Sequence, residues 1–226
     1  MKPSTHWLHI ASSWVLTFIL PPILLMTSIL LLMNPVFLNL EYRRPGFPPD
    51  GYGFTLEERL KYSQVSVAYL LNGSEIDYLE DQLLPDGNHL YNERELSHMV
   101  DVKTVTQGAL HWWLVGCLLL ILLSIWALRG GWSREYWSAI MRAGFLTVGL
   151  IILLLVSLAI NFDALFTLFH KIFFVSGSWV FYYSDSLIRL FPLPFWQDCF
   201  IVTGSFSLLG GILLGVIGRR KVLKRR

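Results

Sequence analysis

Four long apolar runs separated by polar segments dominate the pattern of this chain. They extend from about Ala11 to Val36, Ala109 to Leu128, Ala143 to Phe162 and Cys199 to Gly218. A helix rises about 1.5 Å per residue, so about twenty residues cross a hydrocarbon core roughly 30 Å thick. Each run meets that length. The pattern therefore predicts an all-α membrane protein, a single integral membrane domain over residues 1–226 with four transmembrane helices. An extracytoplasmic cap is built from the 1–2 and 3–4 connections. The first run is too long for a signal-peptide core and has no small-residue cleavage site, so it is expected to stay as an anchor. Pro21 and Pro22 remove backbone donors within it and predict a kink.

The first cap segment, residues 37–108, opens with turn material, Arg44-Pro45-Gly46-Phe47-Pro48-Pro49-Asp50-Gly51. From Thr55 to Leu71 the period becomes helical. Leu56, Leu60, Val67, Leu70 and Leu71 form a stripe, and Thr55 with Glu58 has capping-box spacing. Such a helix lies on the membrane or packs over the spans. After a turn at Pro85-Asp86-Gly87-Asn88, the spacing of Asn92 and Glu95 predicts a short helix before the second span, with His98 and Asp101 one turn apart. Residues 163–198 form the second cap segment, rich in Phe, Tyr and Trp from Phe166 to Trp196 and interrupted by His170, Lys171, Asp185, Arg189 and Asp198. Aromatic side chains with a polar tip favour the headgroup depth of a bilayer.

Charge adds orientation. Only 15% of residues are charged, and they sit in blocks outside the apolar runs. Lys2, the loop with Arg129, Arg134 and Arg142, and the tail 219–226 (Arg219, Arg220, Lys221, Lys224, Arg225, Arg226) place both termini in the cytoplasm of a multi-pass cell-membrane protein. Every carboxylate except Glu135 then falls on the outer side. With 54% hydrophobic residues and a mean hydropathy of +0.52, a soluble domain is excluded. Cys117 and Cys199 lie in or at the edge of apolar runs and are not expected to form a disulfide. No metal-spaced Cys/His set, no phosphate or dinucleotide fingerprint and no basic-aromatic stripe is present, so neither cofactor nor metal nor nucleic-acid partner is expected.

The candidate chemistry lies in two histidines. His98 precedes the second span and His170 follows the third, so both approach the same membrane surface. Imidazole titrates near neutral pH, and two of them can divide base and acid work. Asp101, Asp185 and Arg189 are candidates to orient them or to bind a headgroup. The plain readings stand beside these: His98 and His170 as interfacial anchors, and Asp185 with Arg189 as an i,i+4 surface ion pair. His89 is expected to be exposed, His111 to join an interfacial belt with Trp112 and Trp113, and His6 and His9 to lie on the cytoplasmic side.

Three segments carry a resemblance: Glu93-Arg94-Glu95-Leu96-Ser97-His98-Met99-Val100-Asp101-Val102-Lys103, Phe169-His170-Lys171-Ile172-Phe173-Phe174, and the stretch from Asp185 to Asp198 with Arg189 and Trp196. Together with span number and loop order, they resemble the bacterial lipoprotein intramolecular transacylases, known as Lit. The resemblance implies catalytic roles for His98 and His170 and supporting roles in substrate binding for Asp101, Asp185, Arg189 and Trp196. The implied reaction moves the sn-2 acyl chain of a diacylglyceryl lipoprotein to the amine of its N-terminal cysteine, giving a lyso-form lipoprotein. A diacylglyceryl lipoprotein and membrane lipid are then the partners. The alternative is a non-enzymatic scaffold or partner protein of the bacterial envelope. A transporter is disfavoured because the spans are almost free of ionisable residues.

Overall fold

In the computed structural model, which describes residues 3–174 and 177–224, apolar runs too long for a soluble core form long helices, and the polar connections form short ones. Lys2, Arg225 and Arg226, used above for orientation, lie outside the described residues. The helices are α1 (Pro3–Leu30), α2 (Pro35–Arg43), α3 (Leu56–Leu71), α4 (Asp77–Glu80), α5 (Glu93–Arg129), α6 (Ser133–Ile160), α7 (Phe162–Phe173), α8 (Ser186–Leu190) and α9 (Leu193–Leu223). Among the described residues the sole β pairing is a bridge between Leu83 and His89 across the expected turn. Helices α1, α5, α6 and α9 are long and apolar enough to cross a membrane. The chain is an all-α, multi-pass membrane protein.

Several boundaries differ from the sequence expectation, each for a local reason. The first helix ends at Leu30 rather than Val36. There Asn34 caps α2, its side-chain oxygen accepting the N–H groups of Val36 (2.9 Å) and Phe37 (3.1 Å). Helix α1 continues through Pro21 and Pro22. The short helix expected before the second span is continuous with it: α5 is 37 residues long, about 55 Å at ~1.5 Å per residue. That is nearly twice a hydrocarbon core, so only part of α5 can span one, and the turn bearing His98 lies near its N-terminal end. Helix α6 begins at Ser133, ahead of Ala143, because Tyr136, Ala139 and Ile140 are buried and extend its packed face.

The chain divides into two compact units. One comprises residues 30–109 and 160–200. Its core gathers Leu38, Tyr42, Leu60, Tyr62, Leu79, Leu190 and their neighbours. Thr55 and Glu58 form the expected capping box of α3. The expected stripe faces this core, with Leu60 buried and Leu56, Val67 and Leu70 packed against it, but Leu71 is exposed. The buried face is wider than the stripe and adds Arg59, Tyr62, Ser63, Ser66 and Tyr69. Tyrosines supply apolar area, and their hydroxyls find partners: Tyr62 donates to Leu83 O (3.1 Å), Tyr42 to Leu190 O (2.6 Å), and Tyr91 meets Ser66 Oγ at 2.6 Å. Buried Arg59 donates to Pro48 O at 2.8 Å and lies over the rings of Tyr42 and Phe47.

The other unit comprises residues 1–29, 110–159 and 201–226 and is built for lipid. In the most apolar window of α5 only 6% of residues are buried, so its Leu, Ile and Val side chains face outward. Polar groups are turned inward instead: Ser28 and Ser207 meet at 3.0 Å, and Trp113 donates to Thr27 at 3.0 Å. Without a hydrophobic drive between helices in lipid, close backbone approach and interhelical hydrogen bonds take its place. The closest approach joins α6 and α9. A Cβ on Gly144 would sit 2.5 Å from Gly211 O, and one on Gly218 would sit 2.5 Å from Met141 N.

Gly144→Ala should therefore separate α6 from α9. A loss of monodisperse protein in detergent, with the unfolding midpoint lowered by about 5–10 °C, is expected from an overpacking cost of ~1–3 kcal/mol. Gly149→Ala, where a Cβ meets nothing within 4 Å, should leave the midpoint unchanged.

Candidate functional site

The site begins with the cap of α5. Asn92 and Glu95 exchange hydrogen bonds as their spacing predicts: the Asn92 N–H donates to Glu95 Oε2 at 2.8 Å, and the Glu95 N–H to Asn92 Oδ1 at 3.1 Å. The second carboxylate oxygen of Glu95 accepts the backbone N–H of Leu187 at 2.6 Å, so one fully buried side chain ties the starts of α5 and α8 together. Asp185 reinforces that tie. It accepts from Arg94 Nη2 (3.1 Å), the Asn92 amide (3.3 Å) and the Tyr182 N–H (2.9 Å). Arg94 also lies over the rings of Phe181 and Tyr182.

One turn past Glu95 on the same helical face stands His98, and the end of α7 brings His170 to meet it. The two imidazoles are stacked, with centroids 6.2 Å apart and an interplanar angle of 23°. Aromatic rings enclose them. Phe174 (5.0 Å) and Phe181 (5.3 Å) set their edges against His98, while Phe166 (4.1 Å) and Trp179 (4.8 Å) pack against His170. Both histidines are buried. Burial favours the neutral ring: it lowers the pKa of His98 to about 4, with the neighbouring His170 acting in the same direction, and lowers that of His170 below its ordinary value.

Hydrogen bonding assigns one tautomer. Nδ1 of His170 lies 2.8 Å from the Phe166 carbonyl oxygen, which can only accept, so Nδ1 carries the proton and Nε2 keeps its lone pair. His98 has no such anchor, and its buried Nδ1 has no hydrogen-bond partner among the described residues. An unsatisfied buried ring nitrogen beside a neutral base is a position at which a polar substrate atom can be held.

The remaining candidates are placed at varying remove. Trp196 packs on Phe166 (6.3 Å) and Phe191 (6.1 Å), one ring away from His170, with part of its own ring exposed. Asp101 is half-buried on α5 and makes no ion pair among the described residues. Asp185 and Arg189 do not pair with each other. Arg189 reaches Asp50 (3.0 Å) and lies 3.5 Å over the Phe54 ring, because Asp185, preceding the short helix α8, is turned to Arg94. His89 is exposed as expected, and His9 is buried against Trp132.

Sequence reasoning missed Glu95, Asp50 and Arg44. Arg44 binds both Glu41 (2.9 Å) and Asp198 and so clamps the end of α2 to α9. Only the capping-box spacing pointed to Glu95. Nothing local marks Asp50, whose partner Arg189 is distant in the chain, and the link from Arg44 to Asp198 is equally distant although its pair with Glu41 is local. No group of three or more His, Cys, Asp or Glu among the described residues is placed to hold a metal ion.

Fold and site together define a polytopic membrane protein with a paired-histidine centre inside an aromatic enclosure. The family model described as lipoprotein intramolecular transacylase Lit matches residues 14–196, and the chain belongs to that family. A protein of Aquifex aeolicus (strain VF5) with no described function is 30% identical over 211 residues, 92% of this chain and 94% of that one. The in meso structure of Lit from Bacillus cereus shares the fold, with a TM-score of 0.78 at 22% identity over 97% of this chain and 98% of that one. A variant of that protein with a histidine replaced by alanine superposes with a TM-score of 0.70 at 21% identity, over 97% and 96% of the two chains.

The lowered histidine pKa values make stability depend on pH with a definite sign. Between pH 6.5 and about 4 the unfolded chain binds a proton at His98 that the folded chain does not, so stability falls as pH falls through that window. Full protonation of the unfolded state amounts to on the order of 3 kcal/mol from this residue. The unfolding midpoint in detergent, followed from pH 7 to pH 4.5, should drop less steeply in His98→Phe than in the unaltered protein.

Proposed function

We propose that this chain is a membrane acyltransferase that moves the sn-2 acyl chain of a diacylglyceryl lipoprotein to the amine of the lipoprotein's N-terminal cysteine. The observation that carries the reading is the stacked pair His98 and His170, buried among aromatic rings in a member of the Lit family. The cysteine nitrogen attacks the ester carbonyl, a C–N bond forms, the bond from the carbonyl carbon to the glycerol oxygen breaks, and one proton passes from nitrogen to that oxygen. No water is consumed, and the mass of the lipoprotein is unchanged.

The ring closed in this step, counted from nitrogen through the thioether and glycerol to the carbonyl carbon, has eight members. Such a ring rarely forms unless its ends are held together, and orientation can supply about 7–11 kcal/mol. A rigid aromatic wall for the substrate's acyl and glyceryl groups serves that purpose. In this reading Nε2 of His170, left unprotonated by the bond from Nδ1–H to Phe166, takes the proton from the attacking nitrogen and returns it to the leaving oxygen. His98 binds the oxyanion or the leaving oxygen through a ring N–H. Asp101, one turn along α5 from His98, offers a carboxylate to the substrate's ammonium, and Trp196 extends the apolar wall. Asp185 and Arg189 act through the segments they hold, by way of Arg94 and Asp50. The basic residues Arg129, Arg134, Arg142 and Arg219 to Lys224 support cytoplasmic termini and an extracytoplasmic site.

The test is mass spectrometry of a diacylglyceryl reporter lipoprotein in a bacterium unable to N-acylate it. The expected product has unchanged total mass, with one acyl chain on the cysteine nitrogen. His98→Ala and His170→Ala should each lower transfer by about 10²–10⁴-fold while the protein stays folded in the membrane. Undiminished transfer in both variants would sink the assignment. An unmodified reporter despite good expression would favour the scaffold reading. Because burial lowers the pKa of His170, loss of the base by protonation should set in below pH 6.5 in single-turnover rates.

A further inference from the structure

Glu135 is the one carboxylate that falls among the basic residues marking the cytoplasmic side. In the four-helix unit it lines a pocket of about 220 Å³ together with Ser13, Trp14, Arg134, Ser138 and Arg142. Arg142 is held there by hydroxyl groups rather than by an acid. Nε donates to Thr17 Oγ1 (3.2 Å), Nη1 to Ser138 Oγ (2.9 Å) and Nη2 to Ser13 Oγ (3.0 Å) and Ser13 O (3.4 Å), with the guanidinium carbon 4.5 Å from the centroid of the Trp14 ring. These contacts fix the plane of the fork and leave its charge uncompensated. Among the described residues no carboxylate lies within 4 Å of Arg142, and Glu135 makes no ion pair.

Glu135 and Arg142 therefore share one pocket, with the exposed Arg134 at its edge, each without an ionic partner, and do not reach one another. The gap fits a zwitterion. A guanidinium fixed in this way keeps one N–H of Nη1 outside these bonds, so it is preorganised to donate to a phosphate oxygen and to attract its charge. A carboxylate alongside repels a purely anionic headgroup and accepts hydrogen bonds from a primary ammonium. The depth also fits a headgroup: Trp7 and Trp14 are exposed on the same stretch of α1, as in an interfacial aromatic belt, and Lys221 lies over the Trp137 ring at this end of the unit.

We propose that this pocket binds the headgroup of a membrane lipid carrying a phosphodiester and a primary ammonium, the phosphate on Arg142 and the ammonium near Glu135. The site shares no residue with the histidine centre and does not depend on the acyl-transfer reading.

Native mass spectrometry of the full chain in detergent, offered equal amounts of phosphatidylethanolamine, phosphatidylcholine and phosphatidylglycerol, tests the proposal. Phosphatidylethanolamine should be retained about fivefold over the other two, since phosphatidylcholine has no N–H donor and phosphatidylglycerol has no cation. Glu135→Gln removes no ion pair and should abolish that preference while phospholipid is still retained; Arg142→Gln should lose retention of all three. Equal retention of the three lipids by the unaltered protein, or a preference unchanged in Glu135→Gln, would overturn the proposal. Soluble O-phosphoethanolamine held as tightly as the lipid would overturn the assignment to a membrane lipid.

Discussion

Hydrocarbon offers no hydrogen bonds, and the four-helix unit is organised around that constraint. Many of its apolar side chains face outward, where a soluble protein would show charge, and serines, threonines and glycines join a buried core that includes Leu16, Leu20, Trp132 and Ile140 at the contacts between helices. Ser28 against Ser207 and Trp113 against Thr27 satisfy polar atoms that lipid could not. Gly144, Gly211 and Gly218 let α6 and α9 approach to backbone contact. Association in this unit rests on fit and on a few directional bonds, which is why a single added methyl group is felt.

The unit that carries the histidines follows the rules of an aqueous core, with one buried carboxylate in a central position. Glu95 closes the cap of α5 with Asn92 and at the same time binds the N–H of Leu187 at the start of α8. A carboxylate can accept several bonds at once, and each bond to a charged acceptor is stronger than a neutral one. The same turn of α5 that is fixed in this way presents His98, and the segment fixed at Leu187 follows the loop that sets Phe181 against it. Asp185 and Arg94 repeat the connection a few ångströms away. The position of His98 is thus determined by hydrogen bonds that do not touch its ring. That leaves Nδ1 of the ring without a partner among the described residues.

The enclosure also sets the protonation state. Surrounded by Phe166, Phe174, Trp179 and Phe181, the imidazoles lose more by taking a proton than they would in water, so both stand neutral near pH 7. A neutral pair suits the proposed transfer, in which a proton is accepted from nitrogen and returned to oxygen. The bond from His170 to the Phe166 carbonyl is local, between residues four apart on α7, and selects the tautomer without help from any other element.

Features that depend on local chemistry could be read from the residues alone. Length and apolarity identified four helices able to cross a membrane. The capping spacings of Thr55 with Glu58 and of Asn92 with Glu95 placed the starts of α3 and α5 correctly. Both histidines stood out through their position beside apolar runs and the motifs around them. Tertiary structure decided what local pattern leaves open. It chose Asp50 over Asp185 as the partner of Arg189, added tyrosines and serines to the inward face of α3 beside its leucine stripe, and ran α5 unbroken from its cap into the membrane segment. It also brought His98 and His170 within one ring stack. Periodicity and capping act over three or four residues and are written in the chain. Which distant residue fills a cavity or faces a charge is settled only when the whole unit closes.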